Sequence, residues 1–175
     1  IKGEIIMFYG DEAAIELERD TQSLFTLEVV AFLDRLHNHF EDKRRALLKN
    51  RNTIDKKSST VFKGMQPNVT PVPKNIYEDG IEVTSPAYKQ MMIQAFYAKA
   101  NLFTANFETN EEISWKQLMK WQQNLYDAIH RQNSFSMPES DQIKLAVRPR
   151  SLDKVEKNLT KEGEPMSASF VDFGI

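Results

Sequence analysis

Two arginines stand two positions apart in the segment IKLAVRPRSL, residues 143–152. Alternation along a strand would place Arg148 and Arg150 on one face and Ile143, Leu145 and Val147 on the other. A guanidinium donates two parallel hydrogen bonds to a carboxylate or a phosphate, which suits the capture of a small keto acid or phosphate. An internal ion pair between arginine and glutamate at the rim of a sheet explains the same pattern. Both interpretations stay open at this point.

Polar residues also follow two earlier β-prone segments. Thr84 and Ser85 end the first of them, and Glu108 follows the second, LFTANF. Function in parallel α/β proteins gathers at the carboxyl ends of the strands. Thr84 and Ser85, Glu108, and the pair Arg148 and Arg150 are therefore candidate site residues, with Glu108 and Arg150 possible at its rim.

The elements that must position these residues alternate between residues 80 and 150. The order strand, helix, strand, helix, strand predicts parallel strands joined by crossover helices. Ser85 and Pro86 are predicted to open the first helix, and Ser114 with Gln117 forms a capping box for the second. The third strand covers 143–148. The predicted buried face of the second helix consists of Leu118, Trp121, Leu125, Ala128 and Ile129.

The first part of the chain is predicted to be helical. A helix is expected from about 27 to 50, capped by Thr26, with an apolar face of Val29, Leu33, Leu36 and Phe40. The lead before it is expected to be irregular, with one short helix over 12–18. Residues 51–79 contain three prolines and scattered charges, which indicates a long connector. We therefore divide the chain into an N-terminal helical segment, 1–79, and an α/β part, 80–175.

Composition excludes several classes of protein. The chain of 175 residues has a net charge of −2, 41% hydrophobic residues and no cysteine. It therefore has no disulfide framework and no thiolate chemistry, and its charge does not favour nucleic acid or an anionic membrane as a partner. No apolar run approaches a membrane span. His37 and His39 are two apart on a helix and are not expected to share a metal.

Five motifs resemble those of the malate synthases, in the same order and at compatible spacing. They read IEVTSP, ANFETNEEISW, NLYDAI, VRPR and GEPMSASFVDFG, within a match that covers about residues 24–175. The helix at 27–50 also resembles the N-terminal helical segment of that family. The resemblance implies an N-terminal helical clasp followed by the first three strand–helix units of a TIM (β/α)8 barrel, so that the chain is a fragment of a longer one.

The resemblance also implies a reaction. Malate synthases condense acetyl-CoA with glyoxylate and water to give malate and CoA, with Mg2+ as cofactor. The first arginine of VRPR, which holds glyoxylate in the family, corresponds to Arg148. The Mg2+ ligands, the catalytic base and most CoA contacts are expected downstream of Ile175, so that no metal ligand and no catalytic residue is assigned within this chain.

Departures from the family motifs suggest alternatives. Ser151, Leu152 and Asp153 stand where the family has glycine, an apolar residue and histidine, and Glu108 is the one acid retained from ADFED. These changes favour a non-catalytic malate-synthase-like structural or interaction protein, and the strand-end layout also suits an acyl-CoA lyase of the same barrel superfamily. The glyoxylate cycle would place the protein in the cytoplasm or in the peroxisome (glyoxysome).

Overall fold

The computed structural model describes residues 5–9, 13–17, 24–54, 80–135 and 143–175. Most of the predicted connector, from residue 55 to 79, lies outside this range. The elements, in chain order, are β1 (Ile5–Tyr9), β2 (Ala13–Leu17), α1 (Leu27–Ile54), β3 (Glu82–Ser85), α2 (Lys89–Tyr97), β4 (Leu102–Asn106), α3 (Trp115–Ile129), a 3₁₀ turn (Asn133–Phe135), β5 (Lys144–Arg148), β6 (Val155–Lys161), β7 (Glu164–Ser167) and α4 (Ala168–Gly174).

Strands β3, β4 and β5 form a parallel sheet in that order, as the sequence predicted. The register pairs Val83 with Phe103 and Phe103 with Leu145. Phe103 and Ala105 in the central strand are fully buried, whereas the intervening residues are half-buried. Because helices α2 and α3 lie between successive strands in the chain, the prediction of α/β units with parallel strands is confirmed.

The start of α2 differs from the prediction. Ser85 does not cap the helix; it is the last residue of β3, where it pairs with Ala105 and is buried. The helix begins at Lys89, three residues after Pro86, and Tyr88 occupies the capping position without a side-chain hydrogen bond. The pairing of β3 with β4 therefore outweighs the tendency of Ser85 and Pro86 to begin a helix.

Helix α3 begins as predicted. The Ser114 hydroxyl accepts a hydrogen bond from the backbone N–H of Gln117 at 3.2 Å, which satisfies one free donor of the first turn. Leu118, Trp121, Leu125 and Ala128 are buried. The prediction was wrong for Ile129, the last residue of the helix, which is 63% exposed because the apolar face has turned away from the sheet by that point.

The N-terminal strands correct a second prediction. Residues 13–17 form strand β2 rather than a short helix, and β1 precedes it in an antiparallel pair. Strand β2 also pairs with β6, so that Ile15 lies opposite Leu159. Backbone pairing with a distant part of the chain overrides the weak helical pattern of 12–18, as it commonly does in sheets.

Strands β6 and β7, which were not predicted, complete a four-stranded antiparallel sheet in the order β1-β2-β6-β7. A two-residue turn joins them, and both of its residues have positive φ, 53° at Glu162 and 80° at Gly163. Positive φ at both central residues is the requirement of a type I′ hairpin turn, which glycine adopts at no steric cost.

Helix α1 is four residues longer than predicted and runs to Ile54. Thr26 caps it as expected, because its hydroxyl accepts the backbone N–H of Val29 at 3.3 Å. Val30 and Leu33 are buried, but Phe40 is 41% exposed, so the predicted apolar face is only partly correct. Further along the helix, the buried residues are the charged Glu41 and Arg44.

Two polar anchors attach α1 to the loop after β5 and to β6. Buried Arg44 donates to both carboxylate oxygens of Glu41, at 2.7 and 2.8 Å, and to the carbonyl oxygen of Leu152 at 2.6 Å. Buried Lys161 donates to Asp34 and Asn38 of α1. Because these polar heads are buried, they must be hydrogen-bonded, and the bonds fix the position of the helix.

Glu41 provides a stability prediction that depends on pH. Hydrogen bonds from Arg44, and then from Arg45, lower the pKa of Glu41 from 4.5 to about 2, against the opposing effect of burial. A lowered folded-state pKa stabilises the fold above pH 4.5, and the contribution is lost as the pH falls towards 2. We expect Glu41→Gln to lower the free energy of unfolding by about 1–3 kcal/mol at pH 7.

Urea unfolding at pH 7, 4 and 3 measures this effect. The difference between wild type and Glu41→Gln should shrink steadily over that series. The neighbouring exposed Asp42, changed to asparagine, is the matched control and should cost less than about 0.5 kcal/mol. A difference for Glu41→Gln that stays constant with pH would contradict the assignment.

Gly174 provides a packing prediction. A Cβ placed on this residue would lie 2.3 Å from Cδ2 of Leu33, a buried residue of α1. We expect Gly174→Ala to destabilise the protein by about 1–3 kcal/mol, because the core must shift to accept the methyl group. Urea unfolding should also show that the same change costs much less in a Leu33→Ala background, and equal costs in both backgrounds would exclude this clash as the cause.

In the part of the chain that the structure describes, no helix has the length and apolar character needed to cross a membrane.

Candidate functional site

The carboxyl ends of β4 and β5 lie side by side and bring the predicted site residues together. Asn106 pairs with Arg148 across the two strands, and the backbone N–H of Phe107 donates to the carbonyl oxygen of Arg148 at 2.9 Å. Phe107 is fully buried and packs against Trp121 of α3, with ring centroids 5.7 Å apart. The packing of Phe107 in the core thus fixes the position of these strand ends.

Arg148 is exposed at the last position of β5. Among the residues that the structure describes, none forms a hydrogen bond or an ion pair with its guanidinium. A planar cation with five donors therefore faces solvent at the carboxyl edge of a parallel sheet. Its role in holding a substrate carboxylate stays a prediction.

Arg150 has a different environment from Arg148. The strand ends at Arg148, so the alternation of faces does not continue through Pro149, and the prediction of a shared face was wrong. Arg150 is buried, and it donates to Asp172 from Nη2 at 2.7 Å and to Glu156 from Nη1 at 2.9 Å. The internal ion pair considered from the sequence is therefore present, although its acids are Asp172 and Glu156.

The electrostatics of this buried cluster favour the charged arginine. Burial alone would lower the pKa of Arg150, but the hydrogen bonds that it donates to Asp172 and Glu156 raise it above its ordinary value. Two carboxylates share one guanidinium, and Glu156 also accepts from the side-chain amide of Asn158 at 2.7 Å. Each of the three nitrogens of the Arg150 guanidinium donates to Asp172 or Glu156, so this cation is engaged in an internal ion cluster.

Glu108 joins the end of β4 to the loop after β5. One carboxylate oxygen accepts the backbone N–H of Ser151 at 2.5 Å, and the other pairs with Lys154 at 3.0 Å. Burial would raise the pKa of Glu108, but the bonds from Lys154 and Ser151 outweigh it, and the pKa is lowered. Glu108 is thus an ionised carboxylate at the rim, and its part in binding stays a prediction.

The residues that depart from the family motif form a tight turn. The Ser151 hydroxyl donates to Asp153, and the backbone N–H of Lys154 donates to the carbonyl oxygen of Ser151 at 3.0 Å. The Ser151 bond lowers the pKa of Asp153. Because Leu152 also accepts from Arg44, this turn is attached both to α1 and to Glu108.

A cleft of about 700 Å3 opens beside this turn. It lies between the loop 109–115, which follows β4, and the first residues of β6. The side chains that line it include Glu111, Glu112, Trp115, Lys154 and Lys157, with Arg150 and Glu156 in its wall. Of the predicted strand-end residues, only Arg150 lines this cleft; Arg148, Glu108, Thr84 and Ser85 do not.

Sequence reasoning missed Asp172, Glu156 and Lys154. A signal for Asp172 was present, because an acid inside the apolar run SFVDFGI must be paired if it is buried. In the described ranges, no group of three or more histidine and acidic side chains could hold a metal ion. The placement of Mg2+ ligands downstream of residue 175 therefore stays a prediction.

The fold is that of an α/β protein with an exposed arginine, Arg148, at the carboxyl end of a parallel strand. Comparison with known proteins is more specific. The family model described as malate synthase, N-terminal domain, matches residues 15–71. The chain is 29% identical to malate synthase of Myxococcus xanthus and 30% identical to that of Dictyostelium discoideum, over 89% and 96% of its length. It is also 29% identical to the glyoxysomal malate synthase of Candida tropicalis, over 89% of its length.

The predicted resemblance to malate synthases is thus confirmed by several relatives and by the family model. The chain covers 32% of the Myxococcus and Candida proteins and 35% of the Dictyostelium protein. It therefore spans about a third of the length of these relatives, and it is similar to malate synthases over most of its own length.

Proposed function

We propose that this chain is the N-terminal part of a malate synthase, which condenses acetyl-CoA with glyoxylate and water to give malate and CoA. The observation that carries the proposal is Arg148, an exposed arginine at the carboxyl end of a parallel strand whose motif resembles that of the family. Similarity to proteins named malate synthase over most of the chain supports it.

In this proposal Arg148 binds the carboxylate of glyoxylate through two parallel hydrogen bonds. A general base, to which no residue of this chain is assigned, takes a proton from the methyl carbon of acetyl-CoA, and that carbon then attacks the aldehyde carbon and forms the new carbon–carbon bond. The electron pair of the aldehyde moves to its oxygen, and the Arg148 cation stabilises that negative charge. Water then cleaves the thioester and releases CoA.

The architecture belongs to the same proposal. Strands β3, β4 and β5 would be the first three strands of a (β/α)8 barrel, and residues 1–79 would form the clasp beside the barrel part, 80–175, with α1 as its helix and with β2 paired to β6. The resemblance to malate synthases would place the Mg2+ ligands in a longer chain, after residue 175. No step above depends on the metal. The compartment would be the cytoplasm or the glyoxysome.

A non-catalytic role is the second candidate, and one observation favours it. Both oxygens of Glu108 are occupied by Ser151 and Lys154, and the turn at 151–154 is closed by its own hydrogen bonds. A site closed in this way suits a structural or interaction protein that has kept the fold. An acyl-CoA lyase of the same barrel superfamily, the remaining alternative, would act on an acyl-CoA without glyoxylate.

The test uses the native polypeptide, whose intact mass is compared with the 20.3 kDa of this chain. A larger mass, together with CoA release from acetyl-CoA that depends on both glyoxylate and Mg2+, is the expected result. A folded longer protein that releases no CoA would favour the non-catalytic candidate. CoA release from an acyl-CoA without glyoxylate would favour the lyase, and a mass of 20.3 kDa would rule out the synthase activity for this chain.

A further inference from the structure

We propose that Asp172 is a positioning residue that fixes the end of β5 and thereby holds Arg148 in place at the site. The inference rests on the proposed function only for the identity of the ligand. The positioning itself follows from the contacts of Asp172, which no motif assigned to the site.

Asp172 holds both the backbone and the side chain of Arg150. Its Oδ2 accepts the backbone N–H of Arg150 at 2.8 Å and Nε at 3.0 Å, and its Oδ1 accepts Nη2 at 2.7 Å. The Asp172 side chain has no exposed surface. Such an arrangement restricts rotation of the guanidinium and also restricts the main chain next to it.

The constraint on Arg150 reaches Arg148 through a single residue, Pro149. Proline fixes its own φ near −65° and restricts the residue before it to extended conformations. On the other side, the carbonyl oxygen of Arg148 accepts the N–H of Phe107. The segment 148–150 is therefore held by β4 at one end and by Asp172 at the other, so that the Arg148 side chain leaves a fixed backbone.

Asp172 is itself held in place by its surroundings. Its carbonyl oxygen accepts the side-chain amide of Gln122 in α3 at 3.2 Å, and the first residue of α4, Ala168, donates to the carbonyl oxygen of Lys154 at 3.0 Å. Helix α4 thus links the core to the strand end. Side-chain placement within about 0.5 Å is what a binding site requires, and rigid elements provide it.

Glu156 offers a matched control within the same cluster. It is also buried and also binds Arg150, but its bond reaches only Nη1, at 2.9 Å, and leaves the backbone of Arg150 untouched. If the cluster were purely structural, Asp172→Asn and Glu156→Gln would change amide exchange over 147–153 to the same extent. If Asp172 positions the end of β5, exchange there should increase more in Asp172→Asn than in Glu156→Gln.

The experiment compares these two variants in the full-length protein. We expect Asp172→Asn to speed amide hydrogen exchange in peptides over 147–153 at least tenfold, with less than a twofold change over 82–85. We expect the KM for glyoxylate to rise at least tenfold while the KM for acetyl-CoA stays within twofold. Glu156→Gln should change amide hydrogen exchange over 147–153 less than twofold.

Unchanged exchange over 147–153 in Asp172→Asn, or equal changes in the two variants, would overturn the proposal. If Asp172→Asn does not fold, Asp172→Glu keeps a negative charge beside Arg150 but moves the carboxylate by one methylene, and faster exchange over 147–153 in that variant is then the expected result. A wild-type protein without glyoxylate-dependent CoA release would refute the proposed function, whereas the exchange measurement would still test the positioning role.

Discussion

Replacing Arg148 by lysine in the full-length protein is expected to lower kcat/KM for glyoxylate by about 100-fold. The structure places Arg148 at the edge of the sheet without a partner in its described part, so the guanidinium is available to a ligand. Lysine keeps the charge but cannot form two parallel bonds to a carboxylate. Losing one charge-assisted hydrogen bond, and the fixed orientation that two such bonds give, should raise the activation free energy by roughly 3 kcal/mol, which matches a fall of about 100-fold in kcat/KM.

The measurement is the rate of CoA release at varied glyoxylate, with acetyl-CoA saturating. Arg35→Lys is the matched control, because Arg35 is an exposed arginine of α1 that lies over the ring of Phe32, away from the strand ends. It should leave kcat/KM within twofold of wild type. A value for Arg148→Lys equal to that of the control would remove Arg148 from the proposed site.

Replacing Arg150 by methionine is expected to have the largest effect on stability. The change leaves two buried carboxylates, Asp172 and Glu156, without their shared cation. Removing one member of a buried ion cluster costs about 3–5 kcal/mol, because the remaining charges are neither solvated nor paired. We expect a fall of this size in the free energy of unfolding at pH 7, measured by urea denaturation.

The pH dependence of Arg150→Met identifies the cause. Burial raises the pKa of Asp172 even beside Arg150, and removal of the guanidinium, whose bonds lower it, should raise it further. A raised folded-state pKa gives stability that is present at low pH and lost as the pH rises. The variant should therefore be more stable at pH 5 than at pH 7.

Arg45→Met serves as the control for that experiment. Arg45 pairs with Glu41, but its side chain is 57% exposed. An exposed ion pair contributes about 0–1 kcal/mol, so this variant should lose little stability. Equal losses for Arg45→Met and Arg150→Met, or a stability of Arg150→Met that does not change with pH, would show that the cluster at Asp172 is not the cause.

The α/β units were predictable from sequence because their signals are local. The capping Ser114 and the helical spacing of Leu118, Trp121 and Leu125 all lie within one helix, and the structure has them as expected. Ser85 was misleading because Ser-Pro is a common start of a helix, whereas here Ser85 is the last residue of β3 and pairs with Ala105 of β4. That pairing depends on residues about 20 positions away in the sequence. Local patterns therefore predict the elements better than their boundaries.

The environment of the arginines could be predicted only in part. VRPR placed Arg148 and Arg150 at a strand end, but two side chains so close in sequence face opposite environments. The difference arises from Asp172 of α4, which accepts hydrogen bonds from both the backbone N–H and the guanidinium of Arg150. No spacing rule links 150 to 172, so the partner was visible only in the fold.

The pairing of β2 with β6 sets an order of events during synthesis. Ile15 lies opposite Leu159, so the N-terminal hairpin leaves the ribosome long before the strand that completes its sheet. At typical translation rates this delay is on the order of ten seconds, during which one edge of the hairpin has no partner. Contacts between such distant residues form late and slowly, whereas the parallel units between them depend on nearer neighbours. We therefore expect the antiparallel sheet to close after the parallel units have formed, when β6 reaches the waiting N-terminal hairpin.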